Sequence, residues 1–321
     1  MSTQTTSRTD ATTDVSTDVS IDADQPTRDP GRIRRAEVLS THPVGEGMIR
    51  VVLGGEDMTD FASTGVGDEY VRLFLPHPGQ TDVVMPFASG DHWEYPEGAD
   101  PGPMRCYTIR ALPAPGQVAI DFVVHEGGVA ASWAQNASPG DVIGMNTPKG
   151  LYERPEDARW QLLVADATGL PALARLLEQA PPDVRSRAVV EVPDASHRID
   201  LTCPGPLEVV WLVGGNGHGP SGLLEALQAM TLPSEPGYVW FAGEARVQRA
   251  VRKHLRHERR LPGAAYKVVG YWIERAEEWT RTWEGLDGGV RSQLEALWAD
   301  ETRDPEAVAD EVDALYDSAG L

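Results

Sequence analysis

The sequence predicts an α+β protein of two domains: an N-terminal antiparallel β-barrel, then a C-terminal α/β domain of Rossmann-like type with a parallel sheet and extra helices at its end. Three observations carry this. A chain of 321 residues is too long for one ordinary core, at roughly 100 to 200 residues per domain. Its first half is made of short β-prone runs cut by Gly, Pro and Asp, the punctuation of antiparallel barrels and sandwiches. In its second half, nearly continuous apolar runs alternate with helical stretches, as in a parallel sheet buried on both faces.

Taken in order, residues 1–30 contain no apolar segment and read as a disordered polar leader, because such a composition buries too little surface to offset the entropy of ordering. Residues 31–155 are the barrel domain. Alternation in MIRVVLGG, EYVRLFLP, RCYTIRAL and QVAIDFVVH gives strands with two distinct faces, and SPGDVIGMNTPKG supplies a turn and a last strand. A charged link bearing Pro, YERPEDARW, leads into the α/β domain, residues 156–275. Its strands are WQLLVA, RAVVEV, EVVWLV, YVWFAG and KVVGYW; its helices are LPALARLLEQ, GLLEALQAM and EARVQRAVRKHLRHERR. Residues 276–321 are a helical extension. Trp279, Trp283, Leu286, Val290, Leu294 and Leu297 recur at intervals of three and four, which makes one apolar helix face. Asp304 and Pro305 start a second helix as N-cap and first helical residue, so two helices are expected there.

The formal net charge of −21 argues against a non-specific nucleic-acid binder, since phosphate backbones are held by clustered Lys and Arg that release counterions. No apolar run approaches the roughly 20 residues of a membrane helix, and the leader lacks the apolar core of a signal peptide. The expected location is the cytoplasm, away from membranes. Cys106 and Cys203 are too few for an iron–sulfur cluster or a Cys-rich zinc site. His254 and His257 lie three apart on one helix without an evident third ligand, so no metal site is expected.

RCYTIR sets a guanidinium, a ring and a hydroxyl within four residues: Arg105, Tyr107 and Thr108. Alternation puts Arg105 and Tyr107 on one strand face and turns Cys106 and Thr108 to the other. A guanidinium is a planar fork suited to phosphate oxygens. Further on, Gly127 and Gly128 permit close backbone approach, and a helix starting at Val129 to Ser132 aims free N–H groups at an anion. In ADATGLPAL, Thr168 and Gly169 stand where the first parallel strand enters a helix, the place where open α/β sheets hold dinucleotide phosphates. VGGNGHGPSG, and FAGEA with Gly243 and Glu244, are further turns at the same edge. Each motif alone is equally a tight connection or an ordinary strand; their order and spacing are what discriminate.

In that order, RCYTIR, DFVVH with EGGVAASWA, PGDVIG leading to PKG, ADATGLPALARLL, and YVWFAGEA with GYW resemble the ferredoxin-reductase-like flavoproteins. The resemblance is closer to the siderophore-interacting protein family of cytoplasmic, FAD-dependent ferric-siderophore reductases, and it covers roughly residues 31–275. It implies that Arg105 contacts the FAD pyrophosphate, that Tyr107 lies against the flavin and that Thr108 reaches its N5/O4 edge, through a bend or its backbone. It implies that His125 positions the cofactor and that Gly127, Gly128, Val129, Ala130, Ala131 and Ser132 form a second phosphate element, with Ala131 or Ser132 in the place of the family's serine. Thr168, Gly169, Gly243 and Glu244 would hold NADPH or NADH. Lys149, Trp272 and Arg275 would face the substrate.

No catalytic acid or base is expected, because outer-sphere electron transfer needs none. The implied activity is reduction of a ferric siderophore to release Fe(II), with electrons from NAD(P)H, or from a ferredoxin, passing through FAD in a monomer or homodimer. Two other readings stand beside it: a general NAD(P)H:flavin or electron-carrier oxidoreductase, and a non-enzymatic siderophore-binding protein of iron trafficking. The basic run RVQRAVRKHLRHERR reads either as a solvated helix face or as an attractor for an anion such as the NADPH 2′-phosphate.

Overall fold

The computed structural model describes residues 31–89, 92–125, 127–300 and 302–321; the expected leader, residues 1–30, lies outside them. The N-terminal part holds β1 (Arg34–Val44), β2 (Met48–Gly54), β3 (Tyr70–Phe74), a side hairpin of β4 (Phe87–Ser89) and β5 (His92–Glu94), then β6 (Met104–Thr108), β7 (Val118–Val123), α1 (Val129–Asn136) and β8 (Val142–Met145). Six of these strands form one sheet in the order β6-β3-β8-β1-β2-β7, with antiparallel neighbours. Its two ends meet where Arg110 N donates to the Ala119 carbonyl and Ala119 N to that of Ala111, each at 2.8 Å. Below this bridge β6 and β7 are not paired, so the barrel has an open seam. Val51, Leu53, Val71, Leu73, Ile120 and Phe122 fill its interior, each from the inward-facing alternate positions of its strand.

The second part comprises β9 (Trp160–Ala165), α2 (Leu170–Glu178), β10 (Arg185–Val192), β11 (Leu207–Val213), α3 (Leu223–Ala229), β12 (Gly237–Glu244), α4 (Ala245–Lys253) and β13 (Tyr266–Trp272). The five strands are parallel in the order β11-β10-β9-β12-β13. The order reverses between β9 and β12, the switch point at which doubly wound sheets bind ligands. The continuous apolar strands have a direct physical reason. Leu163, Ala165, Trp240 and Ala242 pack with α2 toward the barrel, while Leu162, Val164, Val239 and Phe241 pack with α3 and α4 on the other face.

Three helices follow, not the two expected: α5 (Ala276–Glu284), α6 (Gly288–Ala299) and α7 (Pro305–Ala319). The long apolar stripe is interrupted because Asp287 accepts from Gly289 N at 2.8 Å and caps a new helix. Asp304 caps α7 as expected. Trp279, Leu294, Val312, Tyr316 and Leu321 close over Ala245 and Ile273 as a fourth core. Among the described residues, no helix is long and apolar enough to cross a membrane.

The two sheets are joined through buried acid groups of GDEY, residues 67–70. Asp68 accepts from Leu151 N and Tyr152 N, both at 2.9 Å, and from Trp240 Nε1 at 3.0 Å. Glu69 pairs with Arg175 of α2 at 2.8 Å, and the same guanidinium donates to the Ile109 carbonyl at 2.6 Å.

Candidate functional site

The open seam gathers the residues expected to hold the flavin. Arg105 and Tyr107 stand opposite Leu73 and Val71, which are core residues, so their face turns toward the barrel interior. The Tyr107 ring lies 4.3 Å from that of Phe122 on β7, and Phe122 lies 5.6 Å from Trp133 on α1. The half-buried Arg105 donates to the Met104 carbonyl at 2.7 Å; among the described residues no carboxylate pairs with it. After β7, Gly127 has φ +81° with open space where a Cβ would be, and a Cβ on Gly128 would stand 2.3 Å from the His125 ring. Gly128 N-caps α1 without a side-chain bond, and the N–H groups of Val129, Ala130 and Ala131 have no intrahelical acceptor. The Ala131 methyl is buried and the Ser132 hydroxyl exposed, so Ser132 is the one of the pair able to offer a hydroxyl.

Thr108 lies on the opposite face of β6. It is buried, and its Oγ1 has no partner within hydrogen-bond geometry. Tyr271, from the end of the parallel sheet, faces Thr108 and has Cys106 and Tyr70 nearby; burial pushes its phenol well above the ordinary range. Tyr70 is paired with both Thr108 and Lys149, and residues directly opposed in a sheet share a face. Lys149 is therefore two strand positions from Thr108 on the same face, at the junction of the domains. A buried hydroxyl without a well-aligned hydrogen bond is costly unless something further meets it. Together with a guanidinium that no carboxylate of the described residues pairs and a helix start without a side-chain cap among the described residues, it makes the residues present fit FAD.

At the carboxyl ends of the parallel strands a second concavity is lined by Asp166, Glu191, Asn216, Glu244, Trp272 and Glu274, among others. Asp166 organises it. Its Oδ1 accepts from Thr168 N at 2.8 Å and Thr168 Oγ1 at 2.6 Å, and its Oδ2 from Glu244 N at 3.0 Å and Trp272 Nε1 at 2.6 Å. Burial pushes the Asp166 carboxyl up, against the pull of the Thr168 and Trp272 bonds. Gly243 and Gly169 are glycines for want of room: a Cβ would lie 2.9 Å from Asp166 Oδ2 at the first and 2.9 Å from Ala165 Cβ at the second. Glu244 caps α4 through Arg246 N and Val247 N. Asn216, in the left-handed region at φ 54°, accepts from Ala167 N at 2.9 Å. These residues fit a dinucleotide at the switch point.

Thr168, Gly169, Gly243 and Glu244 thus come together, and Tyr107 is linked through Phe122 to Trp133 of α1. The three residues expected at the substrate do not come together. Trp272 belongs to the crevice, because alternation turns it away from its neighbour Tyr271. Arg275 is exposed and left-handed at φ 55°, 3.7 Å from Glu278, whereas Lys149 is opposite Tyr70 of the barrel. The basic run is in large part partnered: Arg252 is bound by Glu306, Asp310 and Asp313 of α7. His254 sits in a widened turn bonded to Glu258 and Arg259, and no cluster of three metal-binding side chains occurs among the described residues. Sequence reasoning missed Asp68, Glu69, Asp166, Glu191 and Asn216. The available signal was acid at or beside the ends of otherwise apolar strands.

A seamed barrel beside a doubly wound sheet, with an anion cradle in the first and a switch-point crevice in the second, defines a two-domain reductase of the ferredoxin-reductase type. Residues 37–152 match the family model of the siderophore-interacting FAD-binding domain, and residues 158–275 that of the siderophore-interacting protein. The chain belongs to the siderophore-interacting protein family. It is 33% identical over 253 residues to the NADPH-dependent ferric-chelate reductase of Escherichia coli, covering 77% of this chain and 96% of that one. It is 30% identical over 233 residues to the ferric vibriobactin reductase ViuB of Vibrio cholerae, covering 71% and 85%. A siderophore utilization protein from T. fusca superposes with a TM-score of 0.69 at 33% identity, covering 77% of this chain and 95% of that one.

Proposed function

We propose that this chain is an FAD-dependent ferric-siderophore reductase whose electrons come from a nicotinamide dinucleotide. The observation that carries the reading is the meeting of the buried Thr108 hydroxyl, which makes no well-aligned hydrogen bond, with Tyr271 and the Lys149 row where the two domains join. When bound, FAD supplies the conversion of a two-electron donation into the single electrons that ferric ion accepts. Arg105 and the α1 N-terminus hold the diphosphate, Thr108 donates to or accepts from the ring edge, and Lys149 sets a positive charge at the mouth. The net reaction balances as one NAD(P)H and two Fe(III) giving NAD(P)⁺, H⁺ and two Fe(II). Hard oxygen donors grip Fe(III) better than Fe(II), so reduction loosens the metal.

The switch-point crevice favours a nicotinamide donor over a ferredoxin, and such a donor places the reaction in the cytoplasm. The chain's net charge of −21 favours a neutral or cationic hydroxamate complex over a polyanionic catecholate one.

Anaerobic titration tests this. NADH or NADPH should bleach the bound flavin, and a ferric hydroxamate siderophore should restore its colour with two ferrous ions trapped per dinucleotide. Equal rates on free flavin with none on ferric siderophores would sink the substrate assignment. A protein that stays colourless after FAD addition would sink the flavin.

A further inference from the structure

The five-stranded sheet ends at β11 (Leu207–Val213), an edge that none of the roles above uses. Among the described residues no strand lies beyond it, and its backbone makes no hydrogen bond other than those to β10. At the opposite edge β13 is met by the C-terminal helices, where Tyr266 Oη donates to Glu306 of α7 at 2.6 Å. An open edge is a template for a further strand, and chains ordinarily guard it with Lys, Pro, a bulge or brevity. β11 has none of these guards. It is seven residues long, LEVVWLV, apolar but for Glu208, and its register with β10 runs unbroken. Val213 at its end is 54% exposed.

Both apolar layers of the domain stop short at this strand. Val189 and Val190 of the neighbouring β10 are fully buried, whereas Val209 and Trp211 on the barrel side, and Val210 and Leu212 on the α3 side, are only half-buried. A partner that completed both layers would be a strand with apolar side chains on both of its faces. β11 is itself such a strand.

We propose that β11 is a dimer interface of this chain: two copies pair antiparallel along it, about a two-fold axis at Val210, and join their two five-stranded sheets into one. An isologous contact needs only a surface that complements itself. With the axis at Val210 all seven residues are matched. Val209 of each copy lies opposite Trp211 of the other, a β-branched side chain against an aromatic one, which is a favourable cross-strand pair. Glu208 falls opposite Leu212, so the two copies of this acid are not directly opposed. Two chains of net charge −21 repel one another, but the edge adds little to that repulsion: Glu208 is held by Arg187 at 2.6 Å and Glu235 by Arg185, within one chain.

Sedimentation equilibrium of the full chain at rising micromolar concentration tests this. The mass should climb to twice that of one chain, and amide hydrogen exchange in residues 207–213 should slow as the dimer forms. Val213→Lys, at an exposed position, sets a cation opposite Leu207 and should weaken the dimer by about tenfold or more. A chain that stays monomeric throughout overturns the proposal and leaves the edge to an extended segment of another protein. A dimer whose residues 207–213 exchange as fast as in the monomer overturns it as well, whatever the variant does. So does a dimer that Val213→Lys leaves as tight as wild type. None of these measurements requires turnover, so their outcome is independent of the reductase reading.

Discussion

The indole nitrogen of Trp240 donates to the Asp68 carboxylate at 3.0 Å, tying the middle of the parallel sheet to the loop that enters β3. The same carboxylate receives the N–H groups of Leu151 and Tyr152, so the barrel, the interdomain link and the second sheet meet at one residue. Burial pushes its pKa up while these bonds draw it down. Asp68→Ala strands three donors in the interior, each worth about 1–3 kcal/mol when unpaired. A loss of about 3 kcal/mol or more in urea unfolding is expected, with Asp68→Asn milder because it still accepts. An Ala variant as stable as wild type would remove the clamp.

Glu69 gives the junction a pH dependence. Burial alone would raise its pKa, but bonds from Ser63, Thr64 and Arg175 outweigh it and the carboxyl is held below its ordinary 4.5. A depressed folded value means stability that is whole above pH 4.5 and lost as pH falls through that lower value. Wild type should therefore lose stability relative to Glu69→Gln as pH drops below about 4.5, read by denaturation at a series of pH values. A gap that stays constant from pH 7 to 3 contradicts this.

Thr108 separates a flavin contact from a structural one. Its hydroxyl makes no well-aligned hydrogen bond among the described residues and meets the Tyr271 phenol, so Thr108→Val should change unfolding free energy by less than about 1 kcal/mol. Flavin affinity should nevertheless fall, by about 2- to 10-fold for one neutral hydrogen bond. Equal affinity in the two proteins removes Thr108 from the site.

Arg105→Ala should weaken flavin more, by about 10- to 100-fold, since a hydrogen bond to a charged group is worth about 1.5–3 kcal/mol. Cys106→Ser should retain it. Cys106 does point away from Arg105 and Tyr107, but the face it occupies is that of Thr108 and Tyr271. A small shift in the flavin spectrum on Cys106→Ser is compatible with that placement; loss of the flavin is not.

Arg252 holds the carboxyl-terminal helix. It is 5% exposed and bridges to Glu306 at 3.2 Å, and to Asp310 and Asp313 at 2.7 Å each. Removing it strips Asp313 of this guanidinium and leaves Glu306 and Asp310 to Arg256, and Arg252→Ala should cost about 2–4 kcal/mol locally. Faster amide exchange confined to residues 305–319 is the expected signature; unchanged exchange there would show that the apolar packing of Val312 and Tyr316 suffices alone.

Much of the fold was legible because it rests on local periodicity. Alternation in MIRVVLGG and RCYTIRAL marks half-buried strands, and WQLLVA or YVWFAG could only be strands covered on both sides. The break at Gly285 to Asp287 was hidden, since a stripe at intervals of three and four looks the same whether one helix carries it or two. At the site, the glycines and hydroxyls of the turns were visible because tight strand-to-helix connections need them. The acids were not: Asp166 and Glu191 end or nearly end apolar strands, where an acid equally marks the edge of a sheet.

By itself the sequence determined which segments are strands and helices, which strand faces are apolar and where backbone can approach an anion, all of which depend on neighbours within a few residues. Only the tertiary structure decided what the buried polar groups meet. Asp68 and Trp240 are 172 residues apart, and Asp166 and Trp272 are 106 apart. Burial makes such groups expensive unless paired, but nothing in local spacing says with whom. The same holds for RCYTIR: alternation predicted its two faces, and packing alone turned one toward Phe122 and the other toward Tyr271.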